Sequence, residues 1–345
     1  MNKIDSLTLL EFFREPQRTW LLGLPVSRSE LDQATVTELA WGVSNIVLRV
    51  DAPRCSFVVK QSREQLRTKI DWFSNIERIW REVDVMRILA AVLPAGTVPR
   101  VLFEDRDNYL FGMEAVEADH RVWKAELLSG RFDAGVADSL GTSLASIHRD
   151  TAGIGSQHPE LCDGTNFDEL RLDPFYRHMA RTIPELTESL TALIDETLSL
   201  QTCLVLADFS PKNILLTGRG PVLVDFETGH IGDPGFDIGF FLSHLLLKTV
   251  RHADRLNEII ELPRRFWSGY SAQAHNSDPD FESRCVRHLG ACMLSRVDGK
   301  SRVDYLTEDW QPQLVREYCH ELLLNDVLSI ADAFHRLTDL LKTRQ

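Results

Sequence analysis

No apolar run in the chain approaches the ~18 residues of a membrane span, so no membrane segment is expected. There is no CxxC pair. The six cysteines, at 55, 162, 203, 285, 292 and 319, are widely scattered, which predicts free thiols rather than a disulfide framework or a zinc site. Basic residues are outnumbered, 38 Lys and Arg against 51 Asp and Glu, for a net charge of −13. That balance speaks against nucleic acid, whose phosphates are held by an excess of Lys and Arg. It leans toward a cationic small molecule such as an aminosugar or amino alcohol, although most of these acids should solvate helix faces. The opening MNKIDSLTLLEFFREPQRTW has acids inside its apolar part and no small-residue cleavage site, so no signal peptide is expected and the location expected is cytoplasmic. There is no internal repeat and no low-complexity tract. What remains is 345 residues of ordinary globular composition, 43% hydrophobic and 26% charged, enough for a large core in two lobes.

The most informative stretch is LVLADFSPKNILLTGRGPVLVDFETGHIGDPGFDIGFF, residues 204–241. A short apolar strand ends in Asp208, with Asn213 five residues later. An apolar hairpin, ILLT and PVLV around Gly218-Arg219-Gly220, then leads to Asp225. Closing that hairpin is expected to bring Asp208, Asn213 and Asp225 to one rim. Two carboxylates and an amide oxygen are hard ligands suited to Mg²⁺, which reaches phosphate oxygens through one or two carboxylates. The pattern points to phosphoryl transfer.

An Asp, an Asn five residues on and a strand ending in Asp form the layout of protein-kinase-like catalytic segments. The version here, DFSPKN then DFE, resembles the aminoglycoside phosphotransferase and choline kinase family, and GDPGFDIGFFLSHLLLK looks most like its methylthioribose kinase branch. The resemblance implies that Asp208 orients or deprotonates an acceptor hydroxyl and that Asn213 and Asp225 hold Mg²⁺ on ATP. Glu227, third in the D-x-E variant, supports the metal. Lys212, beside Asn213, would offset charge developing on the transferred phosphoryl group. One departure stands out: the family carries His-Gly before the first Asp, and this chain has Leu206-Ala207. Ala207, unlike glycine, resists a positive φ.

Upstream, ELAWGVSNIVLRVDAPRCSFVVKQ reads as two alternating strands around a Pro53 turn, entered through a bend at Gly42-Val43-Ser44-Asn45. Backbone N–H groups at Gly42, Ser44 and Asn45 are candidates for cradling phosphates. Trp41 stands where relatives often carry a second glycine. Lys60 ends the second strand and is the candidate for the α- and β-phosphates, steadied by Glu82 on the helix that follows. Ser74-Asn75-Ile76-Glu77 reads as that helix's capping box, and Ile79, Val83, Met86 and Ala90 as its apolar stripe. VPRVLFEDRDNYLFGMEAV predicts two more strands, and in kinase-like folds the crossing beyond them is a hinge, placing Glu114 to Val116 against adenine.

After the hinge the pattern turns helical. Asp133 caps a stripe of Val136, Leu140, Leu144 and Ile147, and FDIGFFLSHLLLK should be a central helix with Asp237 tying the catalytic loop to its start. His148 and His244 read as core residues, and Trp123 and Trp267 as core residues first, with walls of a pocket as the alternative. In LSRVDGKSRVDYL, Arg296, Asp298 and Lys300 are candidates for the acceptor, or else a solvated turn.

The expectation is therefore an α+β, two-lobed, protein-kinase-like fold: 1–117 a small antiparallel-sheet lobe for nucleotide, 118–345 a larger helical lobe for catalysis and acceptor. The implied activity is ATP- and Mg²⁺-dependent transfer of the γ-phosphate to a hydroxyl of a small metabolite. An aminosugar, a thiosugar, an amino alcohol and a hydroxy amino acid all stay open. The alternative, motivated by Leu206-Ala207 and Trp41, is a catalytically weak or inactive nucleotide-binding scaffold. No nucleic-acid or membrane partner is expected, and homodimerisation stays open.

Overall fold

Alternating apolar residues near the N-terminus pair into one antiparallel sheet. In the computed structural model, which describes residues 3–15, 26–39, 45–63, 75–274, 278–325 and 327–344, its strands are β1 (Thr35–Glu38), β2 (Asn45–Asp51), β3 (Ser56–Ser62), β4 (Val101–Asp105) and β5 (Leu110–Glu114). Their order is β1-β2-β3-β5-β4, all neighbours antiparallel. One face carries Leu48, Val50, Phe57, Val59 and Phe103 into a core with Leu9, Phe12 and Phe13 of the short helix Leu9–Arg14. Phe103 needs a glycine opposite it, because a Cβ on Gly112 would lie 2.0 Å from the Phe103 ring.

The helix Arg78–Val92 follows, with Ile79, Val83 and Met86 buried as their spacing predicts and Ala90 exposed. Its start differs from the expected capping box. Ser74 lies outside the described residues, and the residue before the helix is Glu77, in helical geometry with no side-chain cap; Asn75 Oδ1 instead accepts from Glu77 N (2.9 Å).

The chain divides into two compact units. The first comprises Met1–His120 and Thr217–Glu227, the second Arg121–Leu216 and Thr228–Gln345. The first unit takes in β9 (Gly220–Leu223); Leu223 N donates to Thr97 O (2.8 Å). The second contains the short pairs β6 (Arg121–Val122) with β8 (Ile214–Thr217), and β7 (Cys203–Val205) with β10 (His230–Gly232).

Helices build the rest of the second unit. Asp133 caps Ala134–Asp150 as expected, accepting from Gly135 N and Val136 N. That helix packs on Glu261–Ser271 through glycines: a Cβ on Gly141 would lie 2.1 Å from Phe266 O, and one on Gly269 2.5 Å from Asp138 O. The helix Pro234–Arg251 is buried on every side through Val250, as its mainly apolar sequence requires, and it takes Asp237, His244 and Lys248 into the interior with it. Trp123 is fully buried and stacks on Phe241, so it is core. Residues 168–177 form a π-helical segment, Asp168–Arg177, a form that appears often at functional sites. Among the described residues no helix is long and apolar enough to cross a membrane, and the six cysteines are free.

Candidate active site

In the first unit, β3 carries Lys60 inward between β2 and β5, opposite Val47 and Phe111. Its ammonium meets Glu82 Oε1 at 2.6 Å and Asp225 Oδ1 at 2.9 Å. Glu82 is fully buried on the helix Arg78–Val92. One helical turn earlier on the same face, Arg78 donates from Nε to Glu227 Oε2 (3.1 Å), and Asn45 Nδ2 donates to the same oxygen (3.1 Å). Asn45, Lys60, Glu82, Asp225 and Glu227 thus form one polar cluster, buried except at the partly exposed Asp225, with Arg78 as a member that sequence reasoning missed. Its signal was available: residues 78 and 82 are spaced i, i+4.

Electrostatics in this cluster run against one another. Burial pushes the Glu82 carboxyl up, to about 7, against the pull of Lys60, with Asp225 and Glu227 adding to the rise. For Lys60 burial acts downward, but Asp225, Glu82 and Glu227 outweigh it and hold the ammonium charged well above the ordinary lysine range. Asp225 sits at φ +74°, a left-handed conformation unusual for a residue with a side chain.

The remaining nucleotide-side candidates lie differently. Gly42 and Ser44 fall outside the described residues. Glu114 is spent on Arg100, at 2.8 Å from Nε, and the Val116 carbonyl accepts from Arg49 Nη1 (2.8 Å).

In the second unit, Asp208 follows β7 on a loop suspended from Asp237. Each Asp237 carboxylate oxygen accepts one backbone N–H, from Leu206 and Ala207, both at 2.7 Å. His148 Nε2 lies 3.3 Å from Asp237 Oδ2, and the Tyr270 hydroxyl 3.0 Å from His148 Nδ1. Asp237 is thus the anchor that its sequence position suggested, and His148 a satisfied core residue.

The Asp208 carboxylate is fully engaged. Oδ1 meets Arg171 Nη2 (3.0 Å); Oδ2 meets Lys212 Nζ (2.9 Å) and accepts from Asn213 Nδ2 (3.0 Å). Arg171 also donates from Nε to Ala207 O (2.6 Å). Sequence reasoning missed Arg171 because a π-helical segment offers no 3.6-residue stripe to read. Of the acceptor candidates, Asp298 pairs with Arg316 (2.8 Å) and Lys300 with Asp173 (3.4 Å), whereas Arg296 meets no carboxylate among the described residues.

The loop is strained where the sequence suggested. Ala207 is fully buried at φ +56°. A left-handed conformation costs an L-residue about 1–2 kcal/mol, part of which glycine would return through a more flexible unfolded chain. Ala207→Gly is therefore expected to raise stability by about 0.5–1 kcal/mol in urea denaturation; a loss would mean that Cβ packing outweighs the strain.

Comparison with known proteins identifies the family and the fold. The model of the phosphotransferase enzyme family matches residues 35–271. A methylthioribose kinase of Escherichia coli is 26% identical over 254 residues, covering 65% of this chain and 59% of its own length. Methylthioribose kinase 2 of Oryza sativa is 24% identical over 259 residues, covering 66% and 60%. The chain thus spans about three fifths of the length of these curated relatives. Among solved structures, an amicoumacin kinase bound to AMP-PNP, Ca²⁺ and Ami superposes with a TM-score of 0.53 at 14% identity, covering 97% of this chain and 98% of its own. A Plasmodium vivax ethanolamine kinase gives 0.51 at 12% identity, covering 100% and 94%. The fold is the expected α+β, two-lobed kinase-like one, and the chain belongs to the phosphotransferase enzyme family.

Proposed function

We propose that the chain transfers the γ-phosphate of magnesium-bound ATP to a hydroxyl of a small metabolite. The observation that carries this reading is the buried Lys60 held between Glu82 and Asp225, a cation kept charged and fixed in place to meet phosphate. Asp225 and Glu227 offer hard carboxylate oxygens near Lys60, and Mg²⁺ held together with ATP needs only one or two carboxylates; Asn213 is the further oxygen donor that the catalytic-segment pattern implies. When bound, magnesium-complexed ATP would supply the phosphoryl group, with the metal offsetting the charge on its oxygens. Lys60, oriented by Glu82, grips the phosphates. Asp208 orients the acceptor hydroxyl and takes its proton, with Arg171 and Asn213 fixing its carboxylate. Lys212, half exposed at the loop's edge, offsets charge on the transferred group. The methylthioribose kinases among the relatives put a thiosugar on the list of acceptors. An ATP-consuming metabolite kinase of this kind belongs in the cytoplasm.

Ala207 at positive φ favours a second reading, an enzyme with a slowed or silent catalytic loop. Calorimetry with MgATP, followed by ADP release across sugars, thiosugars, amino alcohols and hydroxy amino acids, separates the two. Binding with acceptor-dependent release supports the kinase, binding without release supports the silent enzyme, and no binding removes both. In an active preparation Asp208→Asn should lower kcat by about 10²–10⁴-fold while leaving MgATP affinity intact. Unchanged kcat would remove Asp208 from its role.

A further inference from the structure

Lys248, near the end of the helix Pro234–Arg251, has only 1% of its surface exposed. Its ammonium donates to the His244 carbonyl one turn back (3.0 Å) and lies 5.2 Å from the Tyr305 ring. Among the described residues no carboxylate pairs with it, and the charges that reach it, Lys124 and Arg296, are both positive. Arg296, on the helix Phe281–Asp298, donates from Nη1 to Ser301 Oγ (2.7 Å), and its Nε is buried with no hydrogen-bond partner. The Tyr305 hydroxyl is also buried and unpartnered. His244 is buried beside Lys248, Arg296, Lys212 and Lys124, and burial with these cations holds its imidazole neutral. Asp304, next to Tyr305 in the chain, is exposed. The carboxylate whose charge does reach Arg296 is Asp208, already engaged by Arg171, Lys212 and Asn213.

A buried cation without a counter-charge and buried donors without acceptors are each costly. The leucines before it on this buried helix pack without a cation, and methionine would fill the space of Lys248. One ligand class meets every one of these needs at once: an anion with several acceptor oxygens, within electrostatic reach of Asp208.

Building on the phosphotransferase reading, we propose that Lys248, Arg296 and Tyr305 bind an anionic group, a carboxylate or a phosphate, carried by the hydroxyl acceptor. The net charge of −13 leans toward a cationic acceptor, but that total is spread over the whole surface. Field at a binding site is set by the nearest charges, and here those nearest Lys248 are positive. Arg296 offers a planar fork and Lys248 a point charge, a combination suited to either oxyanion.

The test uses the full chain. With MgADP saturating, calorimetry would compare D-gluconate with D-glucose and D-ribose 5-phosphate with D-ribose, and inorganic phosphate alone would serve as a further probe. ADP release from MgATP would then be followed with the same four sugars. At least one charged sugar should bind about tenfold or more tighter than its neutral counterpart and support faster release. Which of the two does so distinguishes carboxylate from phosphate. Lys248→Met and Arg296→Met should each weaken that binding by about tenfold or more with MgADP affinity unchanged, while Arg296→Lys keeps part of it. Equal affinity for charged and neutral sugars, or undiminished binding in both Met variants, would overturn the proposal. So would binding of inorganic phosphate without any preference for charged sugars in ADP release. If the wild-type chain fails to bind MgADP or MgATP, the phosphotransferase reading falls first and takes the acceptor assignment with it. If nucleotide binding is intact and charge preference absent, only the acceptor assignment falls.

Discussion

Lys60→Met is expected to destabilise the protein by about 3–5 kcal/mol near pH 8, the cost of leaving a buried carboxylate without its partner. Glu82, with none of its side chain exposed, would lose the ammonium at 2.6 Å and face Asp225 and Glu227 alone. The loss should shrink in acid. Glu82 titrates near 7 in the folded chain, above the usual carboxyl range, chiefly because it is buried. Between its unfolded and folded values the folded state holds more protons than the unfolded one. The stability it contributes is therefore full below the unfolded value and is lost as pH rises through 7. Removing Lys60 removes the influence that lowers this value, so the folded value climbs further and the variant keeps losing stability above pH 7. At pH 5 a neutral Glu82 is buried in both proteins and the difference should narrow. Urea denaturation of wild type and variant at pH 5 and 8 checks this, and equal destabilisation at both would show that charge pairing is not what Lys60 supplies. Lys60→Met/Glu82→Gln should recover most of the stability at pH 8 but not MgATP affinity, separating the structural role of the pair from its proposed task.

Lys248→Met is expected to move stability the other way. Burial first, then Lys124 and Arg296, depress the Lys248 amine to about 7. His244 is neutral, Tyr305 presents its ring face, and no facing carboxylate compensates among the described residues. A lysine depressed on folding gives stability that is present above its unfolded value and is lost as pH falls through 7. Methionine removes that loss, so at pH 6 the variant should be more stable by about 3–5 kcal/mol, taking about 1.36 kcal/mol per unit of depression as an upper bound. By pH 10 the advantage should fade. Thermal melts of both proteins from pH 6 to 10 measure it, and a variant less stable at pH 6 would mean that the ammonium has found adequate solvation in the free protein.

The two lysines mark the range of what sequence could tell. Lys60 was readable because a strand of alternating apolar residues leads to it and an amphipathic helix carrying Glu82 follows, and the resemblance to kinase-like catalytic segments paired the two. Arg78 precedes Glu82 by one turn of the same helix, so its spacing was legible, but its partner Glu227 lies 149 residues away and only tertiary structure pairs them. Lys248 closes a run of leucines, where a cation ordinarily marks a solvated helix end, and only tertiary packing buries it. Arg171 had no pattern, since its segment is π-helical and its partner Asp208 lies on a distant loop. Asp298 and Lys300, attractive beside a glycine, pair with Arg316 and Asp173. The short helix Leu9–Arg14 was read only for what it is not, while its Phe12 and Phe13 complete the core under the sheet.

The first unit is assembled from two separate stretches of chain, and that has a consequence on the ribosome. Lys60 and Asp225 are 165 residues apart. At about 5–20 residues per second, a nascent chain that has made Lys60 waits roughly 10–30 s for Asp225 to be synthesised. Throughout that interval Arg78 lacks Glu227 and the Lys60–Glu82 pair lacks its third member, so the nucleotide-side cluster matures only after most of the second unit's first half has been translated. A polypeptide released after His120 but before Thr217 would carry the whole five-stranded sheet and yet lack both of the acids that complete its polar cluster. Premature termination anywhere in that window should yield a product recognised by quality control as unfinished, whatever the soundness of its sheet.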